Sequence, residues 1–408
     1  MMDRLRLLLP LAWRNLWRNP RRTIITVLVV SVGLWSILTF SVLLKAWSVS
    51  SRDTTLKLMT GEGQIHATGY LDDPTVAHRT AQPGGELESI LASPAVTAYT
   101  QRLRVAAIVQ SEYKTLPMTL VGTDPARERR LSVLPDRVGD GRYLDGPADT
   151  GIVLGRNLAR RLKTRIGKRV VVMAQDENGK LAERAFQVVG LYAAPQQTED
   201  QFAFTGLKTA QALTGIGTDI TEIAFVTPDD RDIADVLARM KASSPGLDIQ
   251  SWKTLAPLSY AVSTFFNEFI LMWLWIMFAL MAIGIVNTQL MAVFERIREF
   301  GLLQALGMRP RLVLMEVTLE SAMLIGVGVG MGIALSVLSV QAFPNGIDLG
   351  FLGRGAELVG AGHILYPKVD AGDFVLYSLI VWTLGVVATL WPARRASRVS
   401  PVEAMGRF

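Results

Sequence analysis

Apolar residues gather into four long runs along this chain, one near its start and three after Phe265, with an ordinary globular pattern between the first and the second. A helix needs about 20 mostly apolar residues to cross a bilayer. Thr23–Trp47, Phe265–Val293, Leu312–Phe343 and Phe374–Trp391 all qualify. The third run carries Glu316 and Glu320 near its start, so its entry into the bilayer falls later. Four buried helices of a large soluble core would be the competing account, but soluble cores rarely hold uncharged stretches this long. The pattern predicts a membrane protein with four transmembrane α-helices, one plus three, and a large extracytoplasmic α/β domain between helices one and two.

The region 48–262 alternates apolar, strand-like runs with turn signals. Arg104–Gln110, Arg169–Ala174 and Ala185–Leu191 read as strands, and Asn178-Gly179 between the last two is a hairpin signal. Ile152–Leu162 and Ile233–Met240 show helical spacing. Strands and helices recur after about Asp124, which suggests two subdomains. The expected division is 1–22 amphipathic helix, 23–47 first span, 48–262 α/β domain, 263–294 second span, 295–311 connecting segment, 312–343 third span, 344–373 Gly-rich loop, 374–391 fourth span and 392–408 tail. Trp13 and Trp17 share a face of the opening helix, where Trp suits the membrane interface. Asn19-Pro20 breaks the chain before the first span. That span is too long for a signal-peptide core and no small-residue cleavage site follows it, so it is expected to stay as an anchor.

Charge fixes the orientation. The net charge is +6, yet Lys and Arg balance Asp and Glu across 48–262. The excess flanks the spans: Arg4, Arg6, Arg14, Arg18, Arg21 and Arg22; then Arg296, Arg298, Arg309 and Arg311; then Arg394, Arg395, Arg398 and Arg407. The positive-inside rule puts these three segments in the cytoplasm and 48–262 outside. This distribution accounts for the basic balance without nucleic acid as a partner.

Candidate chemistry is sparse. Cysteine is absent and there are three histidines, His66, His78 and His363, too scattered to suggest one site. No phosphate-binding loop, HExxH or GxSxG occurs. The acidic residues of the outer domain read as solvated surface. Nothing points to catalysis, a metal or a cofactor in this chain.

The most informative short segment is Glu295–Glu320. Arg296, Arg298 and Glu299 open a polar stretch, Gly301 and Gly307 mark bends, and Leu302, Leu303 and Leu306 form an apolar helix face. Such a helix can lie on lipid or insert into a groove on a partner, and spacing leaves both open. Glu316 and Glu320, one turn apart, are expected to snorkel to water at the interface. Gly328 and Gly332 have the spacing of a close helix contact, inside the protomer or between protomers.

These residues resemble a family. AWRNLWRNPRRT (Ala12–Thr23), ERIREFGLLQALGM (Glu295–Met308), Glu320–Gly326 and PARRASRVSPVEAM (Pro392–Met405) are similar to the membrane portions of FtsX/MacB-type (type VII) ABC-transporter permeases. The resemblance implies a bacterial inner-membrane protein with cytoplasmic termini. It also implies a second permease, the same chain or a homologue, and a cytoplasmic ABC ATPase dimer that binds ATP and Mg. The chain itself is then not an enzyme, and it works by mechanotransmission. On this resemblance Arg296, Arg298, Glu299, Gly301, Leu302, Leu306 and Gly307 become the ATPase-coupling residues. MacB-type pumps often carry a fused ATPase, which is absent here. Gly61–Pro74 further resembles the lipoprotein-releasing (Lol) permeases. Their lipid-linked cargo is expected to enter beside spans one and two, against Leu34, Ile37, Phe40, Phe265, Phe269 and Trp273. A periplasmic carrier or adaptor and membrane lipids complete the expected partners, although the hairpin Gln175–Arg184 is short for direct carrier capture. The alternatives are drug or peptide efflux of MacB type and FtsX-like regulation of cell-wall hydrolases.

Overall fold

The computed structural model describes residues 14, 17–228, 233–350 and 364–397. Trp13 and most of the expected N-terminal amphipathic helix, the middle of the Gly-rich loop with His363, and the tail beyond 397 lie outside the described residues. The chain divides into two units. One comprises Met1–Ser48, Thr264–Leu349 and Ile364–Phe408; the other comprises Val49–Ser263 and Gly350–His363.

In the second unit, alternation of buried and exposed residues builds the strands β1 (Gly63–Ala67), β2 (Ala98–Gln110), β3 (Thr115–Thr123), β4 (Val138–Gly141), β5 (Gly151–Gly155), β6 (Arg169–Gln175), β7 (Leu181–Tyr192), β8 (Phe202–Gly206), β9 (Glu222–Val226) and β10 (Leu247–Ser251). They form one ten-stranded sheet in the order β10-β1-β9-β2-β3-β8-β5-β7-β4, with β6 bridging β2 and β7. The β3–β8 and β5–β7 pairs are parallel and the others antiparallel, so the domain is a mixed α/β structure. Short helices follow the strands. Pro125–Leu131 starts on Asp124, whose carboxylate accepts the Ala126 N–H, with proline in the first turn.

Three sequence expectations change here. Ile152–Leu162 is not one helix: its first residues belong to β5, buried throughout between β7 and β8, and the helix runs from Arg156 to Leu162. A fully buried strand is a continuous apolar run, which periodicity cannot separate from a helix. The division near Asp124 does not appear either. β2 pairs β6 and β3 pairs β8 across it, and one buried cluster holds both Leu103 and Leu154. The β6–β7 hairpin is present, but Gln175 faces Leu181, so its loop is wider than the Asn-Gly pair. The Asp176 carboxylate accepts the N–H groups of Asn178 and Lys180, and Gly179 takes the left-handed conformation at φ 72°.

The domain also buries charge. The Arg102 side chain is fully sealed, bonded to Glu128 at 2.6 and 3.0 Å and to Glu222 at 2.7 Å, while Arg104 reaches Glu222 at 2.8 Å. Despite burial, the neighbouring Arg104 and Arg102 charges hold the Glu222 carboxyl down at about 2. Glu128 and Glu222 are therefore interior groups rather than solvated surface. His66 is a core histidine, held by Gln64 and the Thr221 carbonyl.

Four helices among the described residues, lying mainly in the first unit, are long and apolar enough to cross a membrane: Pro20–Thr55 with its π-helical extension to Thr60, Pro257–Glu295, Pro310–Gln341 and Ala371–Ser397. Proline opens the first three, where its missing N–H costs nothing. The Gly328 and Gly332 pair serves contact within the chain. A Cβ at Gly328 would stand 2.8 Å from Val30 Cβ, and one at Gly332 would stand 2.9 Å from the Ser31 carbonyl oxygen. Hydrogen bonds reinforce the bundle: Thr26 to Thr288 at 3.0 Å, Thr39 with Ser336 at 3.2 Å and Trp35 Nε1 to Ser339 at 2.8 Å. Part of the Gly-rich loop forms a two-stranded ladder, Ile347–Asp348 against Ile364–Leu365.

Candidate coupling site

The second span ends at Glu295, and the chain turns at Arg296, whose φ of −103° and ψ of 11° leave the helix. A short helix follows, Ile297–Ala305, with Glu299 in its first turn, where a negative charge suits the helix dipole. Gly307 at φ 96° ends it, as the Met308 N–H reaches back to the Leu303 carbonyl. Arg309-Pro310 then opens the third span. Gly307 is the bend that the sequence suggested. Gly301 is not, because it sits buried inside the short helix with helical backbone.

The helix has two unlike edges. Phe300 is buried against Val293, Val313, Val317, Ala393 and Ala396. On the other edge Leu302 is 56% exposed, and just beyond the helix end Leu306 is 78% exposed. Leu303 is half-buried between them, and Arg298 lies on the surface. The helix is thus fixed to its own bundle through one side and offers leucines on the other.

Arg296 is the fixing group. Its guanidinium reaches Glu320 at 2.7 Å, Glu299 at 3.2 Å and Glu316 at 3.3 Å, and lies 5.0 Å from the centre of the Phe300 ring. Burial alone would lower the Arg296 pKa, but the nearby carboxylates outweigh it and raise the value. Glu320 also accepts Arg22 at 3.1 Å, at the start of the first span. Arg18 pairs with Glu299, a bond that with Arg296 holds the Glu299 carboxyl below its usual range. Asn19 donates to Glu295 at 3.3 Å. Glu316 and Glu320 are 7% and 4% exposed. They do not snorkel to water, because Arg296 and Arg22 supply the countercharge that a buried carboxylate requires. Arg22, Glu316 and Glu320 are the members of this site that sequence reasoning left out or misread. The one signal available was that Glu316 and Glu320 lie a helical turn apart on one face; nothing local pointed to Arg22 or Arg296 as their partners.

The residues expected to meet cargo separate into two groups. Leu34 and Ile37 are buried in the bundle, packed among Val30, Leu274 and Ile285, so they line no surface of this chain. Both faces of the first span are apolar, which hid the inward one. Phe40, Phe265, Phe269 and Trp273 form an aromatic cluster instead: Phe40 lies 4.9 Å from Trp273 and 6.0 Å from Phe269, and Phe265 stacks on Phe269 at 5.7 Å. Phe265 is 60% exposed.

Comparison with known proteins assigns both parts of the chain. Residues 23–243 match the MacB-like periplasmic core domain, and residues 271–401 match the FtsX-like permease C-terminal region. The lipoprotein-releasing system transmembrane protein LolC of Neisseria meningitidis is 27% identical over 306 residues, 70% of this chain and 72% of that protein. The macrolide export ATP-binding/permease protein MacB of Escherichia coli K12 is 31% identical over 128 residues, 31% of this chain and 17% of that protein. The crystal structure of the periplasmic region of MacB from Actinobacillus actinomycetemcomitans covers 50% of this chain and 94% of that one, at 14% identity and a TM-score of 0.35.

Proposed function

This chain belongs to the FtsX/MacB-type permeases of ABC transporters, and from that premise we propose that it is the membrane subunit of an inner-membrane exporter that releases lipoproteins. The coverage of the relatives favours this cargo class: the lipoprotein-releasing permease matches over 70% of the chain and the macrolide exporter over 31%.

The observation that carries the mechanism is the two-edged helix Ile297–Ala305. Its leucine edge docks in a groove of a separate cytoplasmic ATPase, which binds ATP and Mg. Its other edge is tied by Arg296 to the third span through Glu316 and Glu320, and by Glu320 to Arg22 on the first. Closure of an ATPase dimer moves the helix, and the ion pairs pass that displacement to the first span. The helix Pro20–Thr55 leads by chain connection into the periplasmic domain. A second permease, the same chain or a homologue, completes the pair. The termini face the cytoplasm, in line with the arginine flanks. Phe40, Phe265, Phe269 and Trp273 offer a surface to the acyl chains of the cargo.

Depletion of the protein in its host tests this reading. Lipoproteins should accumulate in the inner-membrane fraction, and detergent-purified permease should retain an ABC ATPase and a lipid-linked protein. Correct lipoprotein sorting after depletion, with a drug or peptide retained in the cells, would move the assignment to efflux. Altered cell-wall hydrolysis alone would move it to envelope regulation.

A further inference from the structure

The periplasmic domain contains a cavity of about 500 Å³ that the transport reading does not use. It lies between the helices Pro125–Leu131 and Leu207–Thr214, with Gln101 of β2 among its lining residues. That volume falls within the range of small-ligand and peptide side-chain pockets.

Among the described residues, one buried polar atom of its lining lacks a partner, Arg127 Nη1, and a second side chain, Gln101, meets the cavity without one. Gln101 is 9% exposed as a residue, and its side-chain amide meets the cavity with no hydrogen bond among the described residues. Arg127 places its guanidinium 4.9 Å from the centre of the Tyr99 ring, and its Nη1 is sealed from solvent with no acceptor. Native proteins satisfy nearly all buried polar atoms, so Arg127 Nη1 marks a place where a ligand or ordered water belongs. Lys208 adds an exposed ammonium with no ion pair among the described residues. Asp124 is the one acidic lining residue, and it accepts the Ala126 N–H at its helix start. Gln82 and Gln211 already donate to the carbonyls of Thr218 and Asp219. Arg127 and Lys208 thus bring two positive charges to the lining against the single negative charge of Asp124, and the Gln101 amide can donate or accept. Access is open: Gly217, held at φ 66°, leaves empty space where a side chain would stand.

We propose that this cavity is a carboxylate-binding site, in which Arg127 and Lys208 supply charge, Gln101 donates a further hydrogen bond, and an acidic side chain of a peptide is the ligand. A planar guanidinium matches a carboxylate with two parallel N–H bonds, and a nearby ammonium adds attraction without demanding geometry. The site is independent of the cargo that the spans handle.

The test uses the full chain in detergent and a fluorescein-labelled Gly-Glu-Gly-Asp-Gly peptide, followed by anisotropy. The acidic peptide should bind, its Gln/Asn counterpart should not, and added salt should weaken binding. Arg127→Gln and Lys208→Gln should each weaken it at least tenfold. Lys208 is exposed, so its variant carries the test if Arg127→Gln unfolds. Gln101→Leu should weaken binding while leaving the unfolding temperature equal or higher, because an unpartnered amide contributes nothing to the fold; a purely structural Gln101 would lower that temperature and spare binding. Unlabelled succinate distinguishes the source. Displacement at concentrations below those of the unlabelled peptide assigns a free dicarboxylate, and weaker displacement assigns a peptide. Equal binding of the acidic and amide peptides, no binding at millimolar concentration, or wild-type affinity in folded Lys208→Gln would overturn the proposal.

Discussion

Replacing Leu302 and Leu306 together isolates the proposed docking edge from the fold. Full burial of a leucine is worth roughly 1.5–3 kcal/mol. Leu302 is 56% exposed and Leu306 78% exposed in the free chain, so docking can gain about 1–2 kcal/mol from each. The pair is then worth roughly 2–4 kcal/mol, and truncation to alanine removes most of it. Affinity for the ATPase should fall about 30-fold or more. Aspartate at both positions should weaken it further, since each desolvated charge costs a few kcal/mol more. Neither change should disturb the permease, because both side chains lie on the exposed edge away from Phe300, and alanine at Leu302 favours the helix. The assay is titration of detergent-solubilised permease with the purified ATPase, with Leu181→Ala as control. Leu181 is 69% exposed, on the hairpin of the periplasmic domain, and its loss should leave affinity unchanged. Wild-type affinity in both double mutants would refute the docking argument and leave the short helix as a lipid-surface element.

Arg296→Met strips the shared counterion from two buried carboxylates; it should destabilise by about 3 kcal/mol, the low end for a broken buried pair because Arg22 stays on Glu320, read as a lower unfolding temperature in detergent. Adding Glu316→Gln and Glu320→Gln should recover most of that loss, and no recovery would mean that the charges are not the cause. Gly332→Val should cost about 1–3 kcal/mol by overpacking against Ser31 and Leu34, with partial rescue by Leu34→Ala; an unchanged unfolding temperature would show that the first and third spans can separate freely. The Glu222 carboxyl sits at about 2 against an ordinary 4.5. Its depressed value contributes stability that is full above pH 4.5 and is lost as pH falls toward 2, an effect of about 3 kcal/mol. Glu222→Gln should flatten that part of the acid-unfolding curve of the full chain, and an unaltered curve would refute the assignment.

The spans and their order were legible because a bilayer leaves one interpretation for a long uncharged run, and Pro20 and Pro310 mark where two of the helices begin. The Gly328–Gly332 spacing announced a close approach, and the partner became visible only when Val30 and Ser31 were found opposite. The β5 segment was hidden for the opposite reason, since burial on both sides erases the alternation that identifies a strand. Leu34 and Ile37 could not be told from lipid-facing neighbours, because in a membrane helix the inward and outward faces are both apolar.

The ion cluster was the least legible part, and its physics explains its place in the mechanism. Arg296 meets Glu316 and Glu320 at separations of 20 and 24 residues, and Arg22 meets Glu320 across 298. No local pattern encodes such distances. Considered singly, each carboxylate near a membrane predicts escape to water, and each arginine predicts a topology signal. Brought together they lose their water and gain one another, with a geometry that tolerates little displacement. A contact that weakens steeply with distance makes a poor hinge and a good rivet. An apolar leucine edge, whose attraction is non-directional, can slide and re-dock. On the proposed mechanism the two edges of Ile297–Ala305 divide the work, with ions holding the helix to its own spans and leucines left to engage a partner that must move.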